Sequence, residues 1–296
     1  MSGGQKKLLT VKEVLDKTAD YFKEKKIENS RFNAELLLAH VLNMRRIDLY
    51  LNFDRPLIET EIAELRKLIV RRIKREPLQY ILGQTEFYSL PIHLTPAVLI
   101  PRPETEILVQ KVIDHCRSLS AEEIQILDVG TGSGCIAVAL AKNVTNAVVT
   151  AVDVSGEALE VARGNAVLNE VDVRFFELDA LKPWPPEFLG VFDVVVSNPP
   201  YVSYSEYQHL QPEVRDYEPK ISLLGGNDGL EFYRRFALHC ASLLKPQGAA
   251  FFEIGDRQAV SVRNIFAEAG FENLQIFDDL SGRNRVITMQ WNRSSL

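Results

Sequence analysis

The chain has 296 residues, of which 46% are hydrophobic and 25% charged, with a formal net charge of -6. This is the make-up of an ordinary soluble globular protein with room for one large domain or two smaller ones. No apolar stretch approaches a membrane span, and the charged start Gln5-Lys6-Lys7 is not followed by a signal-type apolar core, so a cytoplasmic location is expected. Cys116, Cys135 and Cys240 are widely spaced and the five histidines are scattered, which argues against a disulfide framework or a metal site and for buried free thiols.

The charge is unevenly shared. Residues 1–83 carry 17 Lys and Arg against 12 Asp and Glu, and the remainder carries 17 against 28. A basic segment joined to an acidic one suggests two jobs, and the acidic excess argues against a large phosphate-contacting footprint. Thr10-Val11-Lys12-Glu13 has the form of a capping box, after which Val11, Val14, Leu15 and Thr18 recur at helical spacing. A second helix is expected on Ala34, Leu37, Leu38, Val41 and Leu42, and a third on Ile62, Leu65, Leu68, Ile69 and Ile73, with turn signals at Asn52–Pro56 between them. Residues 1–83 therefore read as a small helical domain. On its third helix the basic run Arg66, Lys67, Arg71, Arg72, Lys74 and Arg75 falls mostly outward, as a solvated face or a docking surface for an acidic patch on a partner.

From 84 to 103 the pattern changes to Phe87, Leu90, Ile92, Leu94, Val98 and Ile100 among four prolines, which reads as a β-hairpin joining two domains. From 104 to 296 strand-like and helix-like segments alternate. Strands are expected at Ile124–Val129, Ala147–Val154, Asp172–Asp179, Phe192–Asn198 and Gly248–Gly255, with helices at 104–117, 134–143, 156–168, 228–244 and 257–269. Such alternation implies a mostly parallel sheet covered on both faces. The last two candidates, Asn273–Phe277 and Arg285–Trp291, are too close for a crossover helix and should pair antiparallel at the edge.

Four strand ends carry chemistry. The first runs into Asp128-Val129-Gly130-Thr131-Gly132-Ser133-Gly134 and a helix, a loop able to approach a ligand closely. Gly132, Gly134 and Ala137 also satisfy the dinucleotide spacing, so a nicotinamide or flavin site is a rival. Asp153 ends the second strand, where a carboxylate can accept bonds from ribose hydroxyls. Asp179 ends the third, placed for an adenine amino group with Ala180 and Leu181 beside the ring. Asp128 can meet an amino group but would repel a pyrophosphate, so S-adenosylmethionine is favoured. Both Asp153 and Asp179 could instead be turn or helix-capping acids.

The fourth strand meets Asn198-Pro199-Pro200-Tyr201. Two prolines cannot continue a ladder, so the strand stops and leaves Asn198 at the carboxyl edge, where ligands bind in open α/β sheets. The Asn198 side-chain oxygen and the Pro199 carbonyl can each accept one N–H of a planar NH2 group while Tyr201 stacks on its plane.

Together the loop 128–134, Asp153, Asp179 and Asn198–Tyr201 resemble a class I S-adenosylmethionine-dependent methyltransferase acting on a planar nitrogen. The segments Leu99–Glu106, Gln79–Gly83 with Glu86-Phe87, and Glu218-Pro219-Lys220 running to Leu224–Leu230 resemble the peptide chain release factor glutamine methyltransferases, the PrmC/HemK family, over almost the whole chain.

The resemblance implies a Rossmann-like seven-stranded methyltransferase domain over 104–296. It implies a helical substrate-docking domain over 1–83 and a hairpin linker over 84–103. It further implies methylation of the N5 amide of the glutamine in a release factor's Gly-Gly-Gln motif. Asn198, Pro199 and Tyr201 would be catalytic. Pro200 and Arg102 would join them at the substrate. Asp128, Gly130, Thr131, Gly132, Ser133, Gly134, Asp153, Asp179, Ala180 and Asn198 would hold the cofactor, with S-adenosyl-L-homocysteine as product and no metal.

A monomer with a protein partner, no stable nucleic-acid partner and no membrane association is expected. The segment Leu99–Pro103 either lines the substrate channel or packs at an ordinary helix start, and Gly225-Gly226 either admits a peptide or makes a tight turn. Alternatives are a ribosomal-protein glutamine methyltransferase, a nucleic-acid amine methyltransferase and a nicotinamide oxidoreductase. Gly3-Gly4-Gln5 repeats the substrate motif and is taken as coincidence.

Overall fold

The computed structural model describes residues 8–292, so Gly3-Gly4-Gln5 and the charged start Gln5-Lys6-Lys7 lie outside the described residues. The chain divides into two compact units, Met1–Gly83 and Gln84–Leu296.

The first unit holds α1 (Val11–Glu24), α2 (Ser30–Leu42), α3 (Arg46–Leu51), α4 (Glu59–Ile73) and α5 (Leu78–Leu82). The capping box that opens α1 forms as expected: Thr10 N–H donates to Glu13 Oε2 at 2.9 Å and Glu13 N–H to Thr10 Oγ1 at 3.3 Å. Val11, Leu15, Phe22, Leu37, Leu38, Leu49, Leu57 and Leu65 make one buried cluster. The short α3 and α5 have too few residues to show a periodicity, and sequence reasoning missed both.

The basic run needs correcting at Arg72, which is 7% exposed rather than outward. Its Nε donates to Asn33 Oδ1 at 2.7 Å and its Nη1 to the Glu76 carbonyl at 3.2 Å. Arg71 donates to Glu76 Oε2 at 2.8 Å. These two guanidiniums close the end of α4 onto the chain that follows it, so reversing their charge would disturb the unit itself.

The second unit opens with a hairpin of β1 (Gln84–Phe87) and β2 (Leu90–His93), paired antiparallel. Next come α6 (Thr105–Ser118), β3 (Ile124–Val129), α7 (Cys135–Asn143), β4 (Ala147–Asp153), α8 (Gly156–Leu168), β5 (Val173–Glu177) and β6 (Phe192–Ser197). The short α9 (Tyr204–Tyr207) and α10 (Pro212–Arg215) precede α11 (Glu231–Leu243), β7 (Leu244–Glu253), α12 (Ala259–Glu268), β8 (Glu272–Asp278) and β9 (Asn284–Gln290).

The sheet order is β5-β4-β3-β6-β7-β9-β8. Pairing is parallel from β5 through β7, and β9 runs antiparallel to both β7 and β8. The expected edge pair forms, and β9 is the strand inserted beside β7. The strand expected from Gly248 starts instead at Leu244, which pairs with Phe192 before the register shifts. Val194–Val196 and the facing Ala250 and Phe252 are buried, as a sheet covered on both faces requires.

The order reverses between β3 and β6, and a crevice opens where neighbouring strands send their connections to opposite faces. Val129 pairs with Ser197, so the two strands end at the same level. The Ser197 hydroxyl ties the ends together by donating to the Val129 carbonyl at 2.7 Å. The glycine loop and Asn198 therefore leave the sheet side by side.

Candidate active site

A cavity of about 320 Å³ occupies this switch point. Of the residues expected at a site, Arg102, Gly130, Thr131, Gly132, Ser133, Asp153, Asp179, Ala180, Asn198, Pro199 and Pro200 line it. Leu99, Ile136, Leu178, Leu181 and Phe232 supply apolar wall. Asp128, Gly134 and Tyr201 are not among the lining residues.

The walls discriminate between ligands. Gly130 and Thr131 N–H both donate to the Val152 carbonyl, at 2.9 and 3.0 Å, and Gly134 N–H donates to the Thr131 carbonyl at 2.8 Å. Gly132 N–H donates to Asp153 Oδ2 at 2.8 Å. A pyrophosphate needs such N–H groups turned outward, whereas here they hold the loop against β4. This arrangement disfavours the dinucleotide reading.

Asp153 also accepts Ser155 N–H on Oδ1 at 3.0 Å, which leaves one lone pair on each oxygen for a ribose diol. Asp179 lies two residues past the end of β5 and accepts Leu181 N–H on Oδ1 at 3.0 Å. Leu178 N–H donates to the Asp153 carbonyl at 2.9 Å, which sets the two acids side by side. Two carboxylates among apolar side chains suit a ligand rich in hydroxyl and amino donors and carrying positive charge. S-adenosylmethionine fits this set: Asp153 would hold its ribose, Asp179 its adenine amino group, and Leu178, Ala180 and Leu181 the ring.

Residues 13–83 match the family described as PrmC N-terminal domain, and residues 103–212 match the methyltransferase small domain. A protein from Geobacter sulfurreducens named release factor glutamine methyltransferase is 43% identical over 278 residues, spanning 94% of this chain and 95% of its own. One of the same name from Chlorobaculum tepidum is 42% identical over 290 residues, 96% and 98% of the two chains. The chain belongs to the release factor glutamine methyltransferase family. A crystallised methyltransferase from Pyrococcus furiosus shares the fold at 20% identity, with a TM-score of 0.52 over 78% of this chain and 98% of that one. As a member of this family the chain uses S-adenosylmethionine as methyl donor.

Two of the segments that carried the family likeness meet in space. Glu218, 5% exposed, accepts Arg102 Nη2 at 2.5 Å on one oxygen and Ile100 N–H at 3.1 Å on the other. The stretch 99–106 is thereby bound to the stretch 218–230. Val202 N–H donates to the Leu223 carbonyl and Gly225 N–H to the Val202 carbonyl, at 2.8 and 2.9 Å, so the second stretch runs alongside Asn198–Tyr201. Gly225 packs there against the Pro200 carbonyl, where an added Cβ would stand 2.6 Å from the oxygen. Its smallness serves the turn.

Three residues expected at the site, Gly134 and Asp128 at the cofactor and Tyr201 at the substrate, take other places. Gly134 packs on α8, where an added Cβ would meet Ala162 Cβ at 2.9 Å. Asp128 is fully buried behind the loop and accepts the Thr131 hydroxyl on Oδ2 at 2.6 Å, so it braces the loop, while its buried Oδ1 has no hydrogen-bond partner among the described residues. Tyr201 packs against the core cluster of Tyr233 and Phe252, and its hydroxyl is bound to Glu253.

Burial pushes the Asp128 carboxyl up from its ordinary 3.8 to about 7, partly opposed by the Thr131 hydroxyl and further raised by the charge of Asp153. Because the folded value lies above the unfolded one, this group's contribution to stability is full below about pH 4 and is lost as pH rises towards 7. The whole interval amounts to an effect on the order of 4 kcal/mol. Urea unfolding at several pH values should therefore show Asp128→Asn gaining on the parent as pH rises. Parallel curves would mean that Asp128 titrates normally.

Sequence reasoning missed Glu253, Thr105, Asn165 and Gln258. Asn165 is fully buried and donates Nδ2 to the Ser133 carbonyl at 2.8 Å and to the His93 carbonyl at 3.0 Å, tying the glycine loop to the hairpin. Gln258 donates to the carbonyls of Tyr201 at 2.9 Å and Gly229 at 3.2 Å. A signal for Glu253 was present, since it is a lone acid within the apolar run 249–254. Among the described residues no cluster of His, Cys, Asp and Glu could hold a metal ion, and no helix is long and apolar enough to cross a membrane.

Proposed function

We propose that the chain methylates the side-chain amide nitrogen (N5) of the glutamine in the Gly-Gly-Gln motif of peptide chain release factors. The observation that carries this reading is Asn198. It lines the cavity wall, and its Nδ2 is bound back to Thr105 Oγ1 at 3.2 Å, so Oδ1 is the end left to accept.

An amide nitrogen is a poor nucleophile because its lone pair is delocalised into the carbonyl. Asn198 Oδ1 and the Pro199 carbonyl take its two N–H groups. Tyr201, its ring against the core and its hydroxyl held by Glu253, braces the turn that carries these acceptors, and the lone pair is turned towards the cavity. Pro200 and Arg102 complete the substrate side. S-adenosylmethionine supplies an electrophilic methyl group on a sulfonium and leaves as S-adenosyl-L-homocysteine. The new N–C bond forms as the S–C bond breaks, and the amide's surplus proton passes to water. Rate enhancement comes from orientation and from acceptors fixed where positive charge develops on nitrogen.

The basic helical unit, residues 1–83, docks the protein substrate, and 84–103 is the joint. The enzyme acts as a cytoplasmic monomer without a stable nucleic-acid partner, in line with the acidic balance of residues 84–296.

A transfer assay with labelled S-adenosylmethionine tests this. It offers a release factor, its variant with the motif glutamine changed to alanine, ribosomal protein and DNA side by side. Methylation of that one glutamine, absent in the variant, is expected; transfer to ribosomal protein or DNA would overturn the substrate. Asp153→Ala should weaken S-adenosylmethionine binding by roughly 10–100-fold in calorimetry, the loss of bonds to a charged acceptor. Unaltered affinity would remove its ribose role.

A further inference from the structure

We propose that Glu253 is a positioning residue for the transfer: acting through Thr105, it sets which end of the Asn198 amide faces the substrate, and it pins Tyr201 with its other oxygen. This inference rests on the Asn198 reading above and deepens it.

Three segments distant in sequence meet here. Ser197 pairs with Phe252, so Glu253 stands at the end of β7 beside Asn198. Thr105 is the first residue of α6. The Thr105 hydroxyl donates to Glu253 Oε2 at 2.6 Å, and the Tyr201 hydroxyl donates to Glu253 Oε1 at 3.1 Å. Glu253 is 1% exposed and Thr105 2%, so neither set of bonds is shared with bulk water.

A hydroxyl has one proton. Thr105 commits it to Glu253 and has only lone pairs to offer Asn198, which must then turn its NH2 towards Thr105. Oδ1 is left facing the cavity as an acceptor. Were Glu253 a donor, the Thr105 proton would go to Asn198 Oδ1. The amide would then present NH2 to the substrate's own NH2, donor against donor. A carboxylate accepts from both hydroxyls; leucine, with no polar atom in its side chain, accepts from neither.

The test is steady-state transfer to the release factor, calorimetric binding of S-adenosylmethionine and thermal melting, on Thr105→Val, Thr105→Ser, Glu253→Leu and the Thr105→Val/Glu253→Leu pair. Thr105→Val and Glu253→Leu are each expected to lower kcat by roughly 10–100-fold, with S-adenosylmethionine affinity kept within a few-fold. Thr105→Ser, which restores the hydroxyl, should recover most of kcat. Because both single changes cut one relay, the pair should be no worse than the more damaged single variant.

A kcat unchanged in Thr105→Val, failure of Thr105→Ser to recover it, or losses that multiply in the pair would overturn the relay. Asn198→Ala in the same assay separates the two levels. If that variant stays active, the amide clamp itself fails. If it is inactive while Thr105→Val turns over normally, the clamp stands and only the relay is lost.

Discussion

Asn198→Ala is expected to lower methyl transfer by roughly a thousandfold or more while leaving S-adenosylmethionine affinity within a few-fold. The side chain sits at the stop of β6, where Pro199 and Pro200 forbid further ladder bonds. Truncation removes the one side-chain acceptor aimed at the amide and leaves the acids that face the cofactor untouched. Asp153 and Asp179 end other strands and keep their own backbone partners. The effect should therefore fall on kcat with little change in cofactor binding, and single-turnover transfer alongside calorimetry reads both. Full activity in the variant would sink the clamp. A parallel collapse of cofactor affinity would show instead that Asn198 serves mainly to build the cavity.

Gly229→Ala is expected to be nearly as damaging, although the residue lies outside the cavity. Its φ is +76°, a left-handed conformation that an L side chain adopts only under strain. A Cβ there would collide with the Tyr201 carbonyl oxygen and stand 2.5 Å from Gln258 Nε2. The Gln258 amide joins the Tyr201 and Gly229 carbonyls, and its Oε1 accepts Gly255 N–H at 3.0 Å. The added methyl has no vacant volume to enter, so the turn 198–201 must shift.

Backbone strain and overpacking together should remove about 3–4 kcal/mol of stability. A displacement of Asn198 by even one ångström would lower the rate by roughly a hundredfold. Melting and transfer rate are measured on the same preparation, with Gly164→Ala, where an added Cβ meets nothing within 4 Å, as the control. A variant that melts and turns over like the parent would show that the loop 224–230 is not what holds the turn.

Much of this was legible beforehand because it depends on local rules. Consecutive prolines end a strand wherever they occur, so the end of β6 could be placed within a residue. The capping box at Thr10 and Glu13 needs only its own four residues. Alternating apolar runs and helical periodicities implied a parallel sheet, and the short span between β8 and β9 left them no choice but antiparallel pairing. Where reading fell short, the missing information was a partner far away in sequence. Arg72 looks like surface charge until Asn33 of another helix takes its guanidinium. Asp128 looks like a ligand acid until the loop folds Thr131 back over it. Glu253 and Thr105, 148 positions apart, share no local pattern at all.

The amino-acid sequence thus determined the longer elements, the class of sheet, the strand ends that carry chemistry and the family. The first three follow from backbone sterics and periodicity over a few neighbouring residues, and the family from the resemblance of its motifs. Only the tertiary structure decided which acids face the cavity, which glycine holds the turn and which end of the Asn198 amide is free to accept. Those outcomes depend on strand order and register, which bring β3, β6 and β7 to one edge and let each hydroxyl proton choose a single acceptor.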